Sequence, residues 1–443
     1  MTGLRKTALV TALCLSLAAC AEQPDLAPVA ASLESGTAGL GADRVPNTVA
    51  RGAFGQHIAR AVLAEPAITR STANIRAARA EKSAADGAFR PDFSVGANAQ
   101  TRLIRSNSSS DVGPFARVSQ LVYDAGAARS DQTAAEARVL QSRAQQLETG
   151  ARVTLDAVEV YNGLLTSRRL LAIAESNLRV LRDFADQIEE RVVRGAGSTA
   201  DSLIARSRVA DAETQRADAQ AQLERAEAAF RRLFVKIPAK LPPQVKAPPL
   251  PAGEADVLEQ SPRLRAANAT LRAAEADLLA ARARRQPGVE LGATGRRASG
   301  GGSDLALDLT LNYSLDTRGA RRAAIETAQA RLEAAQAERD TWLRDVREAL
   351  AFVRTDQTAG EARVIAARQA VASNAASVDA AREQFSIGRR SMVDLLDAQR
   401  DFVRAEQTLI RAEQERFLTD YAALALTGDI LDVFDITLPE VAQ

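Results

Sequence analysis

The chain carries one long pattern twice, and that duplication limits the possible folds more than any other feature. Gly195-Ala196-Gly197-Ser198-Thr199-Ala200-Asp201 returns about 190 residues later as Gly388-Arg389-Arg390-Ser391-Met392-Val393-Asp394. The same spacing joins Gly126 to Gly319, Arg129 to Arg322 and Arg138 to Arg331, with no insertion between Gly126 and Asp201. A slightly longer spacing joins Pro66 to Pro262, Pro91 to Pro287 and Gly96 to Gly292, so the difference falls between Gly96 and Gly126. Solenoid units run to roughly 20–50 residues, far less than this. The repeat is a duplicated half-molecule, and any function has to use both halves.

Each half reads as the same series. Residues 54–88 are helical in pattern, with Pro66 near the start and Pro91 past the end. The period then changes to two. Phe93, Val95, Ala97, Ala99, Thr101 and Leu103 alternate with polar or small residues, Ser106 to Ser110 reads as a polar turn, and a second strand is expected over 112–123. In the second half Val289, Leu291 and Ala293 alternate, and Leu305, Leu307, Leu309, Leu311, Tyr313 and Leu315 follow the loop from Ser299 to Ser303. Such strands are near the ~9–11 residues that cross a membrane when tilted, and one apolar face equally suits a sheet on a soluble core. In a membrane, four strands cannot close, since about eight are the minimum, and open edges in lipid are not tolerated. A membrane sheet of this kind therefore requires several chains to pool their strands.

Long helices follow the strands. Residues 126–194 lack proline, which at ~1.5 Å per residue gives a helix on the order of 100 Å. Leu171, Ala174, Leu178, Leu181, Ala185 and Ile188 step by three and four like a coiled-coil seam, as do Leu343, Val346, Leu350 and Val353 in the second long helix, 319–386. Each ends at the Gly195 or Gly388 turn, and a shorter helix returns over 198–234 or 391–427. A Pro-rich link at 238–251 joins the halves and has to lie outside the helical columns.

The first residues are an address. Arg5 and Lys6 precede an apolar run from Ala8 to Ala19, too short to span a bilayer and ending Leu17-Ala18-Ala19-Cys20. That tetrad resembles a bacterial lipobox, which implies cleavage before Cys20 and acylation of that cysteine, with palmitate among the acyl groups. Ala21, rather than aspartate, then favours the outer membrane. Without Cys14, which leaves with the signal, no disulfide is available. His57 is the only histidine and reads as a helix-surface residue, so a zinc site or a histidine-based triad is disfavoured. Charge is nearly balanced, at +1, and nothing asks for nucleic acid. The domain reading is a signal peptide at 1–19, an acylated extended tether at 20–50, a first repeat at 51–235, a Pro-rich link at 236–254, a second repeat at 255–430 and a C-terminal tail at 431–443.

Two halves of helix, strand pair, long helix, glycine turn and returning helix resemble the TolC-like outer-membrane duct family. The stretch Phe385-Ser386-Ile387-Gly388-Arg389-Arg390-Ser391-Met392-Val393-Asp394-Leu395-Leu396-Asp397 is very similar to that family's inner hairpin. The resemblance covers about residues 54–430. It implies a mainly α fold with a small membrane β-barrel: a homotrimer whose α-barrel tunnel across the periplasm joins a 12-stranded β-barrel. It also implies a periplasmic adaptor and an inner-membrane transporter as partners. The long helices offer no Gly-rich phosphate loop, metal cluster or nucleophile with a base, so no enzymatic activity, cofactor or metal is expected. The hairpin motif leans towards type I protein secretion and the lipobox towards drug or metal efflux, so the cargo stays open.

By the same resemblance, the adaptor meets Gly195, Ala196, Gly197 and Ser198 of the first tip and Gly388, Arg389, Arg390 and Ser391 of the second. Ser198-x-x-Asp201 and Ser391-x-x-Asp394 are also capping-box patterns, which start the returning helices whatever binds there. Asp394 and Asp397, three apart on one helix face, match a cation-selecting ring at the tunnel entrance. Arg390 matches an arginine that helps hold the entrance shut. Phe385 and Ala200 stand where the family has a tyrosine and a threonine, so those closing hydrogen bonds are lost and an Arg390–Asp201 pair is the closing contact to look for. A periplasmic adaptor shares the lipobox but has one hairpin. A structural coiled-coil envelope lipoprotein would not need four alternating strands.

Overall fold

The computed structural model describes residues 22–34, 48–104, 107–195, 197–249, 253–297 and 302–439. Cys14 and Cys20, and with them the signal and lipidation site, lie outside these residues, as does Ala196.

The first half contains α1 (Ala27–Glu34), α2 (Thr48–Arg51), α3 (Ala53–Ala64), α4 (Pro66–Gly87), β1 (Asp92–Ile104), β2 (Asn107–Tyr123), α5 (Ala127–Val193) and α6 (Thr199–Phe234). The second contains α7 (Glu254–Gln260), α8 (Pro262–Ala283), β3 (Gly288–Arg297), β4 (Ser303–Asn312), α9 (Ala320–Ser386), α10 (Met392–Thr427) and α11 (Ile430–Val433). Six elements of each half correspond in order, from α3 to α6 in the first and from α7 to α10 in the second, while α1, α2 and α11 stand outside the repeat. The long helices α5 and α9 are both 67 residues, the returning helices α6 and α10 both 36, and α4 and α8 both 22.

Each first helix of a half is broken where the sequence reading had it continuous. Glu65 and Ser261 are extended, because the proline that follows each clashes with a helical predecessor and instead opens the next helix. Short α3 and α7 therefore bridge the gap between α4 or α8 and the returning helices. Packing sets four columns side by side: α4 and α6 flank one side of α5, α8 and α10 lie between α5 and α9, and α9 is at the edge. Between equal helices the difference in environment is large. Along α5 26 residues are buried, and along α9 eight, because only one side of α9 has a neighbour.

At one end of the columns the strands form a single antiparallel sheet in the order β1-β2-β3-β4. Its first hairpin is tighter than expected: β2 begins at Asn107, and Ser108, Ser109 and Ser110 pair with Leu103, Arg102 and Thr101 instead of forming a turn. Phe93, Val118, Ala293 and Leu307 fall on one cross-strand line, with Leu305, Leu309 and Leu311 on the same face. That face is bare, Phe93 being 74% and Leu307 77% exposed. Among the described residues no helix is long and apolar enough to cross a membrane.

The main core lies midway down α5. Phe54, Tyr161, Phe230, Phe417, Tyr421 and Phe434 gather there, with Phe54 edge-on to Tyr161 at 4.8 Å and Phe230 stacked on Phe234 at 4.2 Å. The Pro-rich link crosses outside the columns, held by two tyrosines: Tyr161 donates to the Pro242 carbonyl at 2.6 Å and Tyr421 to the Val245 carbonyl at 2.7 Å. Burial pushes the Tyr161 phenol up to about 12, so both groups stay donors at any ordinary pH.

Two terminal readings are corrected. The segment from Leu431, expected as a tail, is core: Leu431, Val433, Phe434, Ile436 and Leu438 are all buried. Gly150 on α5 makes room for it, since a Cβ there would lie 2.9 Å from the Leu438 side chain. The span expected as an extended tether contains α1, started by Asp25, whose carboxylate accepts from Ala27 N–H at 2.9 Å. Val29 of α1 packs on Leu140 and Ala269, and Gln23 donates to Ser130 at 3.1 Å. Apolar contact with two columns outweighs the weak local pattern.

Candidate functional site at the helical tips

The tips lie at the opposite end from the sheet. Gly195 (φ 77°) and Gly388 (φ 73°) adopt the left-handed conformation that reverses each long helix, which favours glycine. The returning helices then start on built capping boxes. In the first, Ala200 N–H donates to Ser198 Oγ at 3.1 Å and Ser198 N–H to Asp201 Oδ2 at 3.4 Å. In the second, Asp394 N–H donates to Ser391 Oγ at 3.2 Å, while Ser391 donates from its N–H at 3.3 Å and its hydroxyl at 2.7 Å to Asp394 Oδ2. The Ser391 hydroxyl holds the Asp394 carboxyl below the usual carboxylate range, with Arg390 adding to it.

The structure brings Asp394 and Asp397 together on the first turns of α10, as their spacing requires. Within the chain each faces a cation. Asp397 is 3.0 Å from Arg400 and 3.7 Å from Arg208 of α6, and Asp394 is 4.0 Å from Arg390. The Arg390–Asp201 pair is not formed within the chain. Arg390 lies four residues before Asp394 and turns to it, while Asp201 is engaged by the Ser198 N–H. Arg389 and Gly197 are exposed at the tips.

Three contacts escaped sequence reasoning. The Arg191 guanidinium stacks over the Phe385 ring at 4.4 Å and donates to the Ser386 carbonyl at 3.4 Å, tying the end of α5 to the end of α9. Phe385 thus serves as an aromatic platform. Glu189 accepts from the Ser202 hydroxyl at 2.6 Å and from Arg206 at 3.2 Å, and its carboxyl is held low by the same two groups. Arg208 of the first hairpin reaches Asp397 of the second. None of these has a local signature, because the partners lie in different helices. Beneath them Leu178, Leu181, Phe184, Ile188, Met392, Leu395 and Leu396 form a separate small core that holds the two hairpins together.

A family model for outer membrane efflux proteins matches residues 58–234 and 255–427. The chain is 25% identical over 370 residues to the outer membrane efflux protein BepC of Brucella suis biovar 1, a match covering 81% of each. Its fold is shared with the outer membrane protein VceC from Vibrio cholerae, at TM-score 0.77 and 18% identity over 86% of this chain and 97% of that one. The open state of the Neisseria gonorrhoeae MtrE outer membrane channel is similar too, at TM-score 0.75 and 20% identity over 84% of this chain and 88% of that one.

Proposed function

The chain belongs to the outer membrane efflux protein family, and from that membership we propose that it is the outer-membrane exit duct of a tripartite efflux pump or a type I protein secretion system. It conducts substrate passively from an inner-membrane transporter across the periplasm and outer membrane. Membership sets aside the adaptor and envelope-lipoprotein alternatives.

The observation that carries this reading is the open sheet. Its apolar face is exposed, and the outer sides of its edge strands, β1 and β4, pair with no strand among the described residues. Three copies supply 12 strands, enough to close a barrel whose apolar face meets lipid. The bare side of α9 calls for the same neighbour, and Phe352 of α9 and Leu203 of α6 are large apolar residues left exposed on the two outer columns. Anchoring at Cys20 agrees with the path of the N-terminal segment. Gln23 docks on Ser130, in the first turn of α5 just beyond the sheet, which is the end that the barrel reading puts at the membrane.

The tips take the partner. Gly195, Ala196, Gly197, Ser198, Gly388, Arg389, Arg390 and Ser391 meet the adaptor, and Asp394 and Asp397 from three chains form the cation ring at the entrance. Purified protein added to a planar bilayer tests the central point. Discrete cation-preferring channels are expected. A protein that forms trimers in detergent yet never conducts would sink the duct reading.

A further inference from the structure

The polar face of the sheet holds an unexpected pair of side chains. The other face is the apolar one, so in a closed barrel this face lines the lumen, where polar and small residues belong. Ser94, Gly96, Arg117, Gly292, Thr294 and Asp308 fit that rule; Phe115 does not, nor does Leu121 nearer the end of β2. Phe115 lies directly across from Gly96, and a Cβ on Gly96 would come within 2.8 Å of two of its ring atoms. The ring is therefore laid flat on the glycine.

The second half repeats this seat with a different occupant. Gly292 is the repeat image of Gly96, and Asp308 lies across from it as Phe115 lies across from Gly96. A Cβ on Gly292 would come 2.6 Å from Asp308 Oδ2. Asp308 is the only half-buried residue of β4, folded onto a buried glycine. Three copies of a two-repeat chain make six near-equivalent units around one axis. Repeat-related residues then stand at one height, so three aromatic faces alternate with three carboxylates. In the neighbouring rows Arg296 lies across from Asp304, and Arg117 donates to the Thr294 hydroxyl at 3.2 Å.

We propose that Phe115 and Asp308 form a lumen ring midway up the β-barrel that binds amphipathic organic cations during passage. The carboxylates attract the charge and the ring faces accept an ammonium or its aromatic body. The proposal rests on the trimeric barrel reading and adds to it a substrate class.

Benzyltrimethylammonium is the probe, applied to full-length trimers in a planar bilayer on the side the barrel mouth faces. It should block cation current, with benzenesulfonate as the control that does not. Phe115→Ala and Phe115→Leu should each weaken the block about two- to fivefold, the loss expected for an exposed cation–π contact. Asp308→Asn should weaken it as well. Phe115→Ala should raise conductance, whereas Gly96→Ala, by lifting the ring off its seat, should lower it. Unchanged block in the Phe115→Ala and Asp308→Asn trimers overturns the ring while leaving the duct intact. Block lost in Asp397→Ala and kept in those two moves the cation site to the helical end and also overturns it. If the wild-type trimer does not conduct, the barrel reading fails and the ring with it.

Discussion

At the residue scale, the carboxylates proposed to ring the entrance make the sharpest test. Asp394 serves its capping box as well as any ring, so losing it also weakens a helix start. Asp397 has no capping role, only its partners Arg208 and Arg400. Asp397→Ala is therefore expected to reduce cation preference and block by trivalent ions with little change in folding, as read by reversal potentials. Arg390→Ala is expected to raise resting conductance and leave the ion block in place. Acid acts on the same turns. Asp394 and Glu189 have folded-state pKa values below their ordinary ones, so their stabilisation is present above the ordinary carboxylate range and is lost as pH falls through the lowered values. The tips should loosen below about pH 4, seen as faster amide exchange there than in the middle of α5. A trimer whose tips stay as protected as its middle at that pH would refute the coupling. The capping boxes and the aspartate pair were legible in the sequence because each lies within one helical turn. Arg191 on Phe385 was not, since its partner is reached through a second hairpin.

At the element scale, two glycines of α5 separate packing from propensity. Gly163 has open space where a Cβ would stand, whereas Gly150 is pressed by Leu438 and Leu431. Gly163→Ala should therefore stabilise by up to about 1 kcal/mol, the ordinary gain for a helix interior. Gly150→Val should destabilise by about 1–3 kcal/mol, because the C-terminal segment has to move off the core. Thermal melts of the two proteins should shift in opposite directions, and equal shifts would contradict the packing. The same contrast explains which elements were readable. Period and proline placement gave the long helices, the returning helices and the strands. Ile436 and Leu438 have no periodic context, so only their docking on α5 reveals them as core.

At the scale of the whole molecule, two labelling experiments address anchoring and orientation. If the proposed barrel forms, Cys20→Ser should abolish fatty-acid labelling while the protein still inserts through its strands; persisting label would refute the lipid anchor. In a Cys14→Ser background, a cysteine at Ser108 should react with an impermeant thiol reagent on intact cells, and one at Gly388 should not. The reverse pattern would invert the topology. The sequence by itself determined the duplication, the matched order of elements and the glycine turns with their caps. These are local properties, set by backbone sterics and by apolar spacing along one helix or strand. The side-by-side order of four columns, the tyrosine clamp on the link, the tie between the tips and the exposed sheet edges were decided only by tertiary structure. Each depends on which surfaces meet across hundreds of residues, and an apolar stripe fixes that it must be buried without naming what buries it.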